Sequence, residues 1–162
     1  MYLPSHGPRF ISINSSNLSV QITTVLGTII CVVSKSKNSL ALYMGGDYFY
    51  RMTLEKPEAM KALTKNKSDA YRSLDVSVLN SLILNDILGI TEENYNERVE
   101  FTKSVSEGIK KVNSEEFDCL FAINPVKDSQ IREVAMAGEK LPPRSICVFP
   151  KPITGIIIYI MT

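Results

Sequence analysis

A chain of 162 residues with 44% hydrophobic residues is long enough to bury about two-thirds of the surface of its unfolded form, which implies one domain over residues 1–162 that needs no cross-links. The formal charge is +1 with acids and bases interspersed, so the basic footprint of a nucleic-acid binder is missing. The three cysteines, Cys31, Cys119 and Cys147, lie far apart in apolar runs, which reads as reduced core thiols and a cytoplasmic protein.

From Phe10 to Lys35 the residues are rich in Ile, Val and Thr, favouring strands, although Ser16 before an apolar run is equally compatible with a helix start. Leu18 to Val33 and Ile146 to Met161 are apolar, but both are shorter than the roughly 20 residues of a membrane span, so no membrane association is expected. Ser39 to Met44 and Tyr48 to Leu54 flank Gly45-Gly46-Asp47, a glycine-bearing loop that predicts a β-hairpin. Lys56-Pro57-Glu58 starts a short helix to about Leu63, and Thr64 to Asp69 reads as a solvated loop.

Ser73 is placed to cap a helix to Leu88, with Leu74, Val78, Leu82 and Ile87 on its apolar face and Gly89 as its left-handed stop. Asp75 sits in the first turn, where a carboxylate suits the helix dipole. Beyond it, Arg98 to Lys103 predicts a strand, Ser104 to Val112 a helix and Cys119 to Ile123 a strand. Lys127 to Ala137 predicts a helix with Ile131, Val134 and Ala135 inward, and Gly155 to Met161 predicts a central strand. Irregular alternation of strands and helices predicts an α+β fold with a mainly antiparallel or mixed sheet.

The segment Leu141-Pro142-Pro143-Arg144-Ser145-Ile146-Cys147-Val148-Phe149-Pro150-Lys151-Pro152 carries four prolines, each fixing its own φ and biasing its predecessor toward extended backbone. It presents Arg144, Ser145 and Lys151 on a stiff backbone, suited to contacting an anion or phosphate, and suited equally to connecting β-edges. His6, in Leu3-Pro4-Ser5-His6-Gly7-Pro8-Arg9, is a proton carrier near neutral pH or part of a terminal tail. Phosphate-loop, Gly-x-Gly-x-x-Gly, zinc-spacing and Gly-x-Ser-x-Gly patterns are absent from the sequence, so no metal site and no serine-hydrolase site is expected.

The proline segment resembles the C-terminal signature of the domain of unknown function 1015 family through Pro142, Pro143, Ser145, Phe149, Pro150, Lys151 and Gly155, with Leu141 and Arg144 as near substitutes and Ile146 and Cys147 as departures. Leu74-Asp75-Val76-Ser77 to Leu88-Gly89-Ile90 resembles that family's central helix, Tyr43-Met44-Gly45-Gly46 to Tyr50-Arg51 its hairpin, and Leu3-Pro4-Ser5-His6 with Arg9 its Leu-Pro-Thr-His-Arg loop. The family's N-terminal His-Glu/Thr/Lys and Asp-Gly-His-His-Arg blocks, similar to motifs of ParB-like nucleotide-using proteins including free serine kinases, do not occur here. The resemblance therefore implies a C-terminal portion, incomplete alone, that contributes scaffold and anion contacts to a nucleotide- or phosphate-using small-molecule enzyme. It makes His6, Arg144, Ser145 and Lys151 the expected contacts to a small phosphorylated ligand or nucleotide, and it names no cofactor. The alternative is a non-catalytic interaction module that forms a homo-oligomer or pairs with a separate N-terminal half.

Overall fold

The structure is a computed structural model and describes residues 2–4, 17–24, 38–143 and 145–146. It shows an α+β fold. Among the described residues five strands, β1 (Tyr2–Pro4), β2 (Leu18–Thr24), β3 (Ser39–Tyr43), β4 (Tyr48–Leu54) and β5 (Phe117–Ile123), form one sheet in the order β1-β5-β3-β4-β2. Every described pairing is antiparallel.

The hairpin forms where the glycines allow it. Gly45 and Gly46 have φ of 91° and 80°, a region that costs a side-chain-bearing residue strain. The Tyr43 hydroxyl fastens the turn by donating to the Gly46 carbonyl at 2.9 Å and to Asn113 Oδ1 at 2.7 Å. Strand β3 lies at the centre of the sheet and is buried along its whole length, so its alternate residues feed two different cores.

Leu40, Leu42, Met52, Leu54, Cys119 and Phe121 point to one face, where they meet Val78, Leu79, Leu82, Ile83 and Leu84. Those last residues belong to a helix that is α-helical over Asp75–Val78 (α3) and π-helical over Leu79–Ile87. Ala41, Tyr43, Phe49 and Leu120 point to the opposite face and pack against Val105, Ile109 and Val112 of α5 (Val105–Asn113). In β5 the register slips opposite Leu3 and Pro4, so that Asp118 is the extra residue of a bulge. The slip turns Phe117 toward the α5 side, where plain alternation from Cys119 would have put it on the other.

Gly108 is the close-approach point between α5 and the sheet. A Cβ built there would stand 2.8 Å from Leu120 Cδ1, so only glycine lets the helix lie this near. Ser104 caps α5, its hydroxyl accepting from the Glu107 amide at 3.3 Å.

Three shorter helices complete the connections: α1 (Glu58–Leu63), α2 (Asp69–Arg72) and α4 (Tyr95–Arg98). After β5, α6 (Asp128–Met136) brings Val134 against Leu74 and Val76, with Ala70, Val126 and Leu141 around them. Asn124 joins this corner to the sheet by donating to Asp75 Oδ2 at 2.7 Å and to the Ser39 carbonyl at 3.4 Å.

Several expectations are corrected. Ser73 does not cap the long helix: it closes α2, its hydroxyl donating to the Ala70 carbonyl, and Leu74 holds the N-cap position of α3. Asp75 stands in the first turn of α3 as expected, and its carboxylate also accepts from Asn124. Arg98 to Lys103 makes no strand; α4 ends at Arg98, and only an isolated bridge follows at Glu100. Val99 and Phe101 alternate because both face the core, with Phe101 against the Tyr95 ring at 6.2 Å, and no neighbouring strand turns that alternation into a ladder. On α6, Val134 is buried and Ile131 partly so, while Ala135 is exposed. Within Phe10 to Lys35 the described part, Leu18–Thr24, is a strand. The expected strand from Gly155 to Met161 lies outside the described residues, as do Cys31 and Cys147.

Candidate functional site

The connection from α1 to α2, Thr64 to Ser68, is a braced loop rather than a loose one. The Thr64 hydroxyl donates back to the Met60 carbonyl and its carbonyl accepts from the Lys67 amide at 3.1 Å. The Arg72 guanidinium reaches back across the loop, its Nε donating to Thr64 Oγ1 at 3.2 Å and its Nη2 to the Thr64 carbonyl at 2.8 Å. Its remaining terminal nitrogen pairs with Asp69 at 2.9 Å. Arg72 thereby holds the loop through the Thr64 hydroxyl and carbonyl while paired with Asp69.

The braced loop forms the rim of an open cavity of about 550 Å³, within the ordinary size of a small-ligand site. Ala62 and Leu63 give it an apolar edge, and Lys65, Asn66, Lys67, Tyr71 and Ser81 line the rest. Ser81 comes from the π-helical segment, so the cavity lies between that helix and the loop.

The lining is rich in hydrogen-bond donors, and among the described residues it contains no carboxylate or imidazole. Lys67 is steered rather than free to wander: its ammonium stands 4.8 Å from the centre of the Tyr71 ring, a contact worth about 0.5–1 kcal/mol at an exposed site. The Tyr71 phenol is held above its usual pKa chiefly by burial, and the nearby Glu139 carboxylate adds to the shift. Ser77, fully buried on α3, approaches the phenol and pulls the other way, although its hydroxyl makes no hydrogen bond of normal geometry. Tyr71 therefore stays protonated at neutral pH and presents an O–H. Two ammonium groups, an amide, a phenol and a serine hydroxyl suit an acceptor-rich anion.

A further contact ties the loop to a distant part of the chain. Glu139 accepts from the Ser68 amide at 2.8 Å and from the Ser68 hydroxyl at 2.5 Å. Ser68 in turn caps α2, its Oγ accepting from the Tyr71 amide at 3.2 Å. These bonds, that of the Ser68 hydroxyl first, hold the Glu139 carboxyl below the usual glutamate range, with Lys67 and Arg72 assisting. Glu139 reaches Ser68 because Gly138, at φ 71°, turns the chain at the end of α6.

Of the residues expected to contact an anion, His6, Arg144 and Lys151 lie outside the described residues. Ser145 is described and half-buried, and it turns inward: its amide and its hydroxyl both donate to the Pro142 carbonyl, closing a turn. The hydroxyl proton that a phosphate would use is occupied there. Pro142 is buried and Leu141 packs beside Leu74 and Val134, so the first part of the proline segment serves as a wall of the third core.

Lys65, Lys67, Tyr71 and Ser81 escaped the sequence reading because a lysine-bearing polar stretch is most often a solvated loop. The available signal was Lys67 four residues before Tyr71, a spacing that lets a cation reach a ring once α2 begins between them. Among the described residues no three His, Cys, Asp or Glu side chains converge as metal ligands, and no helix is long and apolar enough to cross a membrane. Compared with known protein families, curated proteins and solved structures, the chain matches none.

Proposed function

We propose that this chain is an anion-binding scaffold: an α+β unit that holds a small phosphorylated ligand in the cavity between the α1–α2 loop and the π-helical segment. It contributes that contact to a phosphate- or nucleotide-using small-molecule enzyme, and the reacting groups come from outside this cavity. The observation that carries the reading is the convergence of Lys65 and Lys67 beside the Asn66 amide and the Tyr71 and Ser81 hydroxyls, on a loop that Arg72 braces from behind. A braced loop loses little conformational entropy on binding, so the charge attraction is not spent on ordering it. The cavity supports the anion contact, and the enzyme it would serve is suggested by the family resemblance alone.

The test is thermal unfolding of the purified chain with inorganic phosphate, AMP and ATP, each against chloride at equal ionic strength. A ligand at one hundred times its Kd adds about 2.7 kcal/mol to stability, an upward shift of several degrees for a chain of this size. The shift is expected with at least one of the three, and no shift with any of them at high millimolar concentration would defeat the reading.

A second reading, a self-associating interaction module, is favoured by Met44 and Tyr48, which are 40% and 49% exposed together at the β3–β4 tip. It predicts a concentration-dependent dimer in light scattering that Met44→Glu abolishes, and a monomer at all concentrations would exclude it.

A further inference from the structure

We infer that Glu139, which does not line the cavity, is the positioning residue that sets its shape. This rests on the anion-binding reading and deepens it by naming what holds the cationic loop in register. The cavity's two steered groups, Lys67 and Tyr71, flank Ser68 and sit on either side of the α2 N-cap. That cap is gripped from outside by both oxygens of one carboxylate, at 2.8 and 2.5 Å. A single side chain on the far side of Gly138 thus fixes the amide before α2 and, through the Ser68 hydroxyl, the Tyr71 amide within it. Charged contacts of this kind are the stronger class of hydrogen bond.

The groups that face Glu139 are consistent with a latch rather than a ligand. Lys67 and Arg72 attract it, and the Tyr71 phenol feels its charge. Arg72 is itself tied to Asp69. Glu139 thereby acts on the cavity in two opposed ways: its hydrogen bonds position Lys67 and Tyr71, while its negative charge disfavours an anion beside them. Removing the bonds and removing the charge are therefore expected to move affinity in opposite directions. A merely structural carboxylate does not have that property.

The experiment uses inorganic sulfate, which keeps its charge across the glutamate titration range, with amide hydrogen exchange on the ligand-free protein as a second readout. Glu139→Ala is expected to speed exchange at the Ser68 and Tyr71 amides by about tenfold or more and to bind sulfate several-fold more weakly than Glu139→Gln, which lacks the same charge. Glu139→Gln, whose amide still accepts from the Ser68 N–H and donates to its hydroxyl oxygen, is expected to keep exchange near wild type and to bind sulfate as tightly or more tightly. If the two variants bind sulfate equally tightly, Glu139 is only a nearby negative charge and the positioning role is overturned. If Glu139→Ala leaves the two amides protected, the latch is overturned whatever the binding. If the wild type binds neither sulfate nor phosphate while Glu139→Ala still loosens the two amides, the cavity reading fails and Glu139 is reduced to a structural cap.

Discussion

Replacing Gly108 with alanine tests how closely α5 lies on the sheet, because two effects of known sign oppose each other there. Alanine in the middle of a helix is favoured over glycine by about 1 kcal/mol. The added Cβ, however, would stand 2.8 and 3.0 Å from the two Leu120 methyls, where carbon atoms prefer about 3.5–4.0 Å. Leu120 is 2% exposed and clusters with Tyr43, Val112 and Phe117, so turning its methyls aside costs packing and the alternative is for the helix to lift. Overpacking of this kind costs about 1–3 kcal/mol, and the net expectation is a loss of about 1 kcal/mol, read as a lower urea midpoint with unchanged slope. In a Leu120→Ala background the obstruction is gone, and the same substitution is expected to stabilise by about 1 kcal/mol. The two backgrounds should therefore disagree in sign, with a coupling energy of about 2 kcal/mol. A Gly108→Ala protein more stable than the parent in both backgrounds would refute the close approach.

Three other outcomes are expected. Tyr43→Phe keeps the ring stack with Phe49 at 4.7 Å but deletes the hydroxyl bonded to Asn113 and Gly46, and should cost about 1–2 kcal/mol in urea unfolding; a loss under a few tenths would show that water replaces those bonds. Burial, with help from Asp118, pushes the Cys119 thiol up to about 12, so peptide mapping should find it unlabelled by iodoacetamide at pH 8 in the native protein and labelled in urea. Because the Glu139 pKa is lowered on folding, its stabilisation is complete above the ordinary glutamate value of about 4.3 and is lost as pH falls through the lower folded value. The stability difference between wild type and Glu139→Gln should accordingly be constant near neutrality and shrink in acid, and a difference that grows in acid would reverse the sign of the argument.

The parts of the fold legible in the sequence were those encoded by a few adjacent residues. Gly45-Gly46 announced the hairpin, Pro57 the start of α1, Ser104 the cap of α5, and Gly89, at φ 64°, the stop of the long helix with Ile90 folding back beneath it. The features that were not legible depend on partners distant in the chain. Ser73 and Leu74 exchange capping roles because α2 must first turn the chain to place Val76 against Val134. The π-helical segment has no local signature: Leu79, Ile83, Leu84 and Leu88, at successive spacings of four, one and four, all pack into the same core as the sheet. The bulge at Asp118 leaves no mark in the alternation of β5, since Phe117 and Cys119 are both apolar. At the candidate site, single residues such as Lys65 and Ser81 have no local signature, because the cavity exists only once the loop and the π-helical segment meet.

The central claim is that Lys65 and Lys67 form an anion site, and calorimetric titration of inorganic phosphate into three proteins tests it most directly. These are the wild type, Lys65→Ala/Lys67→Ala, and Lys110→Ala/Lys127→Ala, the last removing the same charge from α5 and the residue before α6. Saturable binding is expected for the wild type, with at least a tenfold loss in the first variant and less than a twofold change in the second. Equal losses in both variants would show that phosphate responds to net charge alone and would contradict the site.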